Sequence, residues 1–180
     1  MAENEYYDWN NLIDEESRLR MVADIDTVIA NGDYWTNSPP YQTTINMFGL
    51  PTQDWVNLKM SFIWSCFAYM QREAQIKSIK SWGYKTSLKT TEDRERYWHQ
   101  HLRDGSLVVS GVYYLSLPDD VTTLLHAGTE VAPQGPQGEG KYFAPWKAGQ
   151  WMIMPGKTWH RPGILQSNEN RYIIAADMEI

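Results

Sequence analysis

Leu107 to Leu117 reads LVVSGVYYLSL. β-branched and aromatic side chains crowd this stretch, and it holds no charge and no Pro, so it predicts a strand, the strongest in the chain. Pro118-Asp119-Asp120 follows as a turn signal, and Val121 to Leu125 reads as a shorter strand. Working outward, Trp151–Met154, Thr158–Arg161 and Arg171–Ala176 read as closing strands, with Pro155-Gly156 as a turn. On the upstream side, Ile76 to Tyr84 is a strand, and the polar run Thr86 to Arg96 is a loop. Ala132 to Lys141 (APQGPQGEGK) is rich in Pro and Gly and reads as a mobile loop.

The first half has a different period. Asp14 is a good N-cap, and Glu15 and Glu16 favour the start of a helix. Leu19, Val22, Ile25, Val28 and Ile29 then recur at helical spacing until Asn31-Gly32-Asp33. Pro51 and Thr52 open a second helix with the apolar stripe Trp55, Leu58, Phe62, Cys66, Tyr69 and Met70, ending near Gln75. Helices followed by a run of strands predict an α+β, mainly β, single domain over 1–180. Residues 1–75 are expected to form a helical layer covering one face of a β-sandwich, whose core is 76–180.

Composition narrows the chemistry. The net charge is −6 and the pI about 5.2, so nucleic acid and anionic lipid are not expected partners. Cys66 is the only cysteine, which excludes an intrachain disulfide and a Cys-based zinc site. No segment approaches the length of an apolar membrane span, and Met1 to Asn11 lacks the basic and apolar stretches of a signal peptide. A cytoplasmic setting is the expectation. Nine Trp and eleven Tyr supply rings that fill a core and can also line a wet pocket.

The four histidines are His99, His101, His126 and His160. In Trp98-His99-Gln100-His101, two residues apart on an extended chain means the same face. His99 and His101 can therefore reach one metal, with His160 as the third ligand. First-row divalent metals favour imidazole, and three ligands on one face leave positions open for substrate and O₂. A bare His-x-His also fits two surface or hydrogen-bonded histidines. His126 reads as structural or loop-borne.

The flanking residues resemble a known family. His99-Gln100-His101, then Ser110-Gly111-Val112-Tyr113-Tyr114-Leu115, then His160, then Arg171-Tyr172-Ile173-Ile174 is similar to the 2-oxoglutarate/Fe(II) oxygenases. The likeness is to their prolyl-hydroxylase-like branch and its small bacterial and phage members. It covers roughly Trp82 to the C-terminus, with a looser match at Pro40-Tyr41-Gln42-Thr43. The resemblance implies a double-stranded β-helix (jelly roll, cupin-like), Fe(II) at His99, His101 and His160, and 2-oxoglutarate as co-substrate. It also implies that Arg171 anchors the far carboxylate of 2-oxoglutarate, helped by the Tyr114 hydroxyl. A guanidinium suits that task because it binds a carboxylate through two parallel hydrogen bonds. Most members of the family carry Asp where this chain has His101. Iron then sits among three histidines, or a carboxylate reaches in from elsewhere, Asp104 being the nearest in sequence. A neutral ligand set leaves the metal charge uncancelled and favours a dianionic co-substrate.

The function implied is an Fe(II)- and 2-oxoglutarate-dependent dioxygenase, a hydroxylase of a small-molecule or peptidyl substrate. No catalytic residue is expected beyond the metal ligands, and an oligomer is compatible with the chain. Two alternatives stand beside it. One is a three-histidine cupin-type dioxygenase that uses no 2-oxoglutarate, and the other is a non-catalytic metal-binding jelly-roll module.

Overall fold

The computed structural model describes residues 5–8, 12–35, 41–86, 98–118, 128–144, 147–163, 165 and 169–180. Helix α1 (Glu15–Ala30) starts where the sequence places it, with the Asp14 carboxylate accepting the Ser17 N–H at 2.7 Å. Its buried face is Ser17, Met21, Ile25 and Val28, while Leu19, expected in the stripe, is 59% exposed. Helix α2 (Gln53–Met70) buries Trp55, Leu58, Phe62, Cys66 and Tyr69, as its stripe requires. It stops well before Gln75 because Gln71 adopts a left-handed conformation (φ 55°). The Gln71 and Arg72 N–H groups then turn back to the Ala68 and Phe67 carbonyls.

Nine strands occur among the described residues: β1 (Glu5–Asp8), β2 (Tyr41–Gln42), β3 (Ser78–Thr86), β4 (Val108–Ser116), β5 (Thr129–Ala132), β6 (Tyr142–Phe143), β7 (Gln150–Pro155), β8 (Trp159–Pro162) and β9 (Arg171–Glu179). One sheet has the order β1-β7-β4-β9-β3-β2 and the other β6-β5-β8, and all pairings are antiparallel. The strand expected at Leu107–Leu117 is β4, paired on both edges. Three corrections follow from pairing that local pattern does not carry. The first 75 residues are not purely helical, since β1 and β2 extend both edges of the larger sheet. Thr86 belongs to β3, because its ladder with β9 runs as far as Arg171. Ala132, expected to open the Pro/Gly-rich loop, is instead the last residue of β5, paired with Trp159, while residues 133–141 form the loop as expected and lead into β6. The expected strand Val121–Leu125, residue His126 and residues 87–96 of the expected polar loop lie outside the described residues.

Two cores result. The larger joins α1 and α2 to one face of the larger sheet through Met21, Ile25, Trp55, Phe62, Val109, Tyr113, Trp151, Ile153, Ile174 and Met178. The smaller joins the opposite face of that sheet to the second sheet through Val112, Tyr114, Met152, Met154 and Ile173 with Val131. Alternation along β4, β7 and β9 sends odd and even residues to different cores. Gly111 lets α2 come close: a Cβ there would lie 2.7 Å from a Phe62 ring carbon and 3.0 Å from Ile153 Cδ1. No described helix is long and apolar enough to cross a membrane.

Candidate metal centre

The backbone brings the three histidines together before any side chain is considered. His99 and His160 form an antiparallel bridge, each N–H donating to the other's carbonyl at 3.1 Å. His160 is also paired with Val131 through β8 and β5. The His101 N–H donates to the Gly156 carbonyl at 2.7 Å, and the Gly156 N–H donates to the Val108 carbonyl at 2.8 Å. Extended backbone from His99 to His101 then puts both rings on one side. Ring centroids are 4.2 Å apart for His99–His160, 5.2 Å for His99–His101 and 5.1 Å for His101–His160. One nitrogen from each ring lies within 4.8 Å of the others. Asp104 is exposed in the turn closed by the Arg103–Ser106 bridge and is not part of this group.

The surroundings of His160 and of His101 fit a metal. His160 is 4% exposed, and its Nδ1 lies 2.9 Å from the Thr158 carbonyl, to which it donates. Its Nε2 therefore carries the lone pair. Burial, reinforced by the neighbouring His99 and opposed by the Thr158 bond, pushes its pKa down to about 3. The ring is neutral at ordinary pH, the form that ligates. His101 Nδ1 lies 2.8 Å from the Asp177 carboxylate. Its Nε2 is buried without a hydrogen-bond partner among the described residues. A buried polar nitrogen left this way is costly, and a cation between the three rings satisfies it. Trp82 stacks on the His101 ring, with centroids 5.7 Å apart and planes 7° from parallel.

The histidines line one wall of a cavity of about 310 Å³. Trp82, Val112, Met154, Ile173 and Ala175 make much of its apolar lining, and Arg171 lies in it too. Arg171 is 2% exposed and donates from Nε to Thr86 Oγ1 at 3.2 Å and from a terminal nitrogen to the Gly163 carbonyl at 3.0 Å. Tyr114 is buried behind the wall, its hydroxyl 2.9 Å from Thr129 Oγ1, a residue of the cavity lining. Burial pushes the Tyr114 phenol up, so it stays protonated and able to donate.

Sequence reasoning missed Asp177, Thr86, Thr129 and Trp82. For Asp177 a signal existed. In Arg171-Tyr-Ile-Ile-Ala-Ala-Asp177 the two charged residues are separated by an even number of positions in an apolar strand, so they share a face. The Thr and Trp positions carry no comparable signal, since each is an ordinary strand residue.

No family model and no curated protein sequence matches the chain. Solved structures do. AviO1 from Streptomyces viridochromogenes Tue57 superposes with a TM-score of 0.71 at 11% identity, covering 99% of this chain and 90% of that one. A prolyl-4-hydroxylase from Pseudomonas putida gives 0.66 at 10% identity, covering 98% and 91%. SnoN, a non-haem α-ketoglutarate-dependent epimerase from nogalamycin biosynthesis, gives 0.68 at 12% identity, covering 98% and 77%. Over 98–99% of its length, this chain has the fold of AviO1, of this prolyl-4-hydroxylase and of SnoN.

Proposed function

We propose that the protein is an Fe(II)- and 2-oxoglutarate-dependent dioxygenase, a hydroxylase of a small-molecule or peptidyl substrate, acting as one domain whose two sheets form a double-stranded β-helix. One observation carries the reading: three convergent imidazoles and a buried guanidinium line the same apolar cavity. Its volume of about 310 Å³ accommodates a five-carbon diacid. Related folds support it, since SnoN has been captured with Fe3+, α-ketoglutarate and nogalamycin RO. Arg171 favours this reading over a cupin-type dioxygenase without 2-oxoglutarate, because a guanidinium lining the same cavity as the histidines suits a carboxylate.

His99, His101 and His160 would hold the iron. When bound, it supplies the oxidative chemistry that couples decarboxylation of 2-oxoglutarate to oxidation of the second substrate. The protein's residues bind, orient and keep water out. Arg171 receives the far carboxylate of the co-substrate, with Thr86 and Gly163 holding the guanidinium in place. The Tyr114 hydroxyl, through Thr129, completes the polar end. Met154, Ile173 and Ala175 line the walls between the two ends and exclude water.

The test is an anaerobic spectroscopic titration of 2-oxoglutarate into the Fe(II)-loaded protein and its Arg171→Leu variant. Loss of a charge-assisted pair, about 1.5–3 kcal/mol, weakens 2-oxoglutarate roughly ten- to a hundredfold. Metal affinity stays unchanged, because Arg171 is not a ligand, and Lys at the position rescues in part. Equal 2-oxoglutarate affinity in the Leu variant would remove Arg171 as the anchor and favour the co-substrate-free alternative.

A further inference from the structure

The inward face of β9 runs Arg171, Ile173, Ala175, Asp177, a cation at one end and a carboxylate at the other. Asp177 is 8% exposed, and its position is fixed by two ladder pairings and two side-chain contacts. It sits opposite Ser110 in the β4–β9 ladder and opposite Lys80 in the β3–β9 ladder. The Ser110 hydroxyl donates to Oδ1 at 2.8 Å, and His101 Nδ1 lies 2.8 Å from the same carboxylate. Between Arg171 and Asp177 this face carries only Ile173 and Ala175, and a carboxylate buried there requires hydrogen-bond partners. Its bond with His101 occupies Nδ1, and the opposite ring nitrogen, Nε2, is buried without a hydrogen-bond partner among the described residues, on a ring that belongs to the histidine cluster.

We propose that Asp177, anchored by Ser110, is the positioning residue of the metal centre: it holds His101 in the Nδ1–H tautomer and supplies, one bond removed, the negative charge that the three-histidine ligand set lacks. The inference rests on the metal reading of the histidine cluster. A carboxylate behind a ligating imidazole fixes ring orientation and raises the basicity of the nitrogen that faces the metal. Trp82, stacked flat on the same ring, blocks rotation out of that plane. The device explains how a ligand set of three neutral rings retains a divalent cation. The anion is still present, on β9, behind a ring instead of on the metal.

The experiment is an anaerobic Co(II) titration, read by the visible absorption of the bound ion. It uses the wild type, His160→Ala, Asp177→Asn, Asp177→Leu and Ser110→Ala, each checked for folding by circular dichroism. Wild type binds and His160→Ala does not. If both fail to bind, or bind alike, the metal reading itself falls. Asn keeps an acceptor for Nδ1–H and loses the charge, whereas Leu loses both. Co(II) affinity should fall roughly ten- to a hundredfold in Asn and further in Leu, the range seen when the outer partner of a ligand is removed. Ser110→Ala should weaken binding by a smaller factor. In the Zn(II)-loaded form, wild type should show low-field proton signals for the Nδ1–H of both His101 and His160, and Asp177→Leu should lose the His101 signal while keeping that of His160, which a merely structural role would not produce. Affinity in folded Asp177→Asn within about twofold of wild type, while His160→Ala abolishes binding, overturns the proposal. Should neither Asp177 variant fold, an unchanged affinity in Ser110→Ala overturns it.

Discussion

His101 is held from three directions, and Gly156 is the tightest of them. The Gly156 carbonyl accepts the His101 N–H, and Gln100 reaches across to the Lys157 carbonyl beside it. A Cβ on Gly156 would collide with the His101 carbonyl oxygen and come within 2.8 Å of Val108 Cβ. Neither partner is the free end of a flexible chain, so the backbone carrying His101 must move. Gly156→Ala should cost about 1–3 kcal/mol in urea unfolding, as overpacking does. It should also weaken Co(II) binding, because a ligand displaced by a few tenths of an ångström no longer meets the others at one point. Unchanged stability and affinity would mean that this contact does not position His101.

At the scale of elements, the two helices depend on acidic groups whose charged forms are favoured by the fold. The Ser17 N–H holds the Asp14 carboxyl below its usual range, and Arg20 does the same for Asp54, joining α1 to α2 through two bonds of 2.7 and 3.0 Å. A carboxyl with a depressed folded pKa binds more protons unfolded than folded as pH falls. Its contribution is complete above the unfolded value near pH 4 and is lost progressively below it. Both ends are solvent-accessible, so each contribution is modest. Asp14→Ala should lower the urea midpoint at pH 7, and its gap from wild type should close on titration toward pH 3. A gap that stays constant across that range would show that the cap works through shape alone.

For the molecule as a whole, the larger sheet separates a helix-facing core from a cavity-facing one. Phe62 sits on the first, with ring centroids 4.9 Å from Trp151 and 6.0 Å from Phe48, pressed onto Gly111. Phe62→Ala empties a fully buried site and should cost about 3–5 kcal/mol. Since its contacts are on the far face from the histidines, Co(II) affinity of the folded protein should stay at the wild-type value. A fall in affinity measured well below the unfolding temperature would show that the two faces are coupled through the sheet.

What the chain alone determined was what period and cap chemistry encode: the start of α1 at Asp14, the stripe of α2, the strand at Leu107–Leu117, and the shared face of His99 and His101. Those signals are local, each spanning a few residues of one element. The short strands β1 and β2 carried no such signal, since two to four residues cannot establish an alternation and their pairing partners lie far along the chain. The Leu19 misreading has the same origin, because which side of a helix is buried depends on the sheet it meets. Only the tertiary structure seats His160 opposite His99, by a backbone bridge between distant segments. It alone places the carboxylate near the site at Asp177 rather than at Asp104, because antiparallel pairing carries the last strand back beside Ser110 and His101.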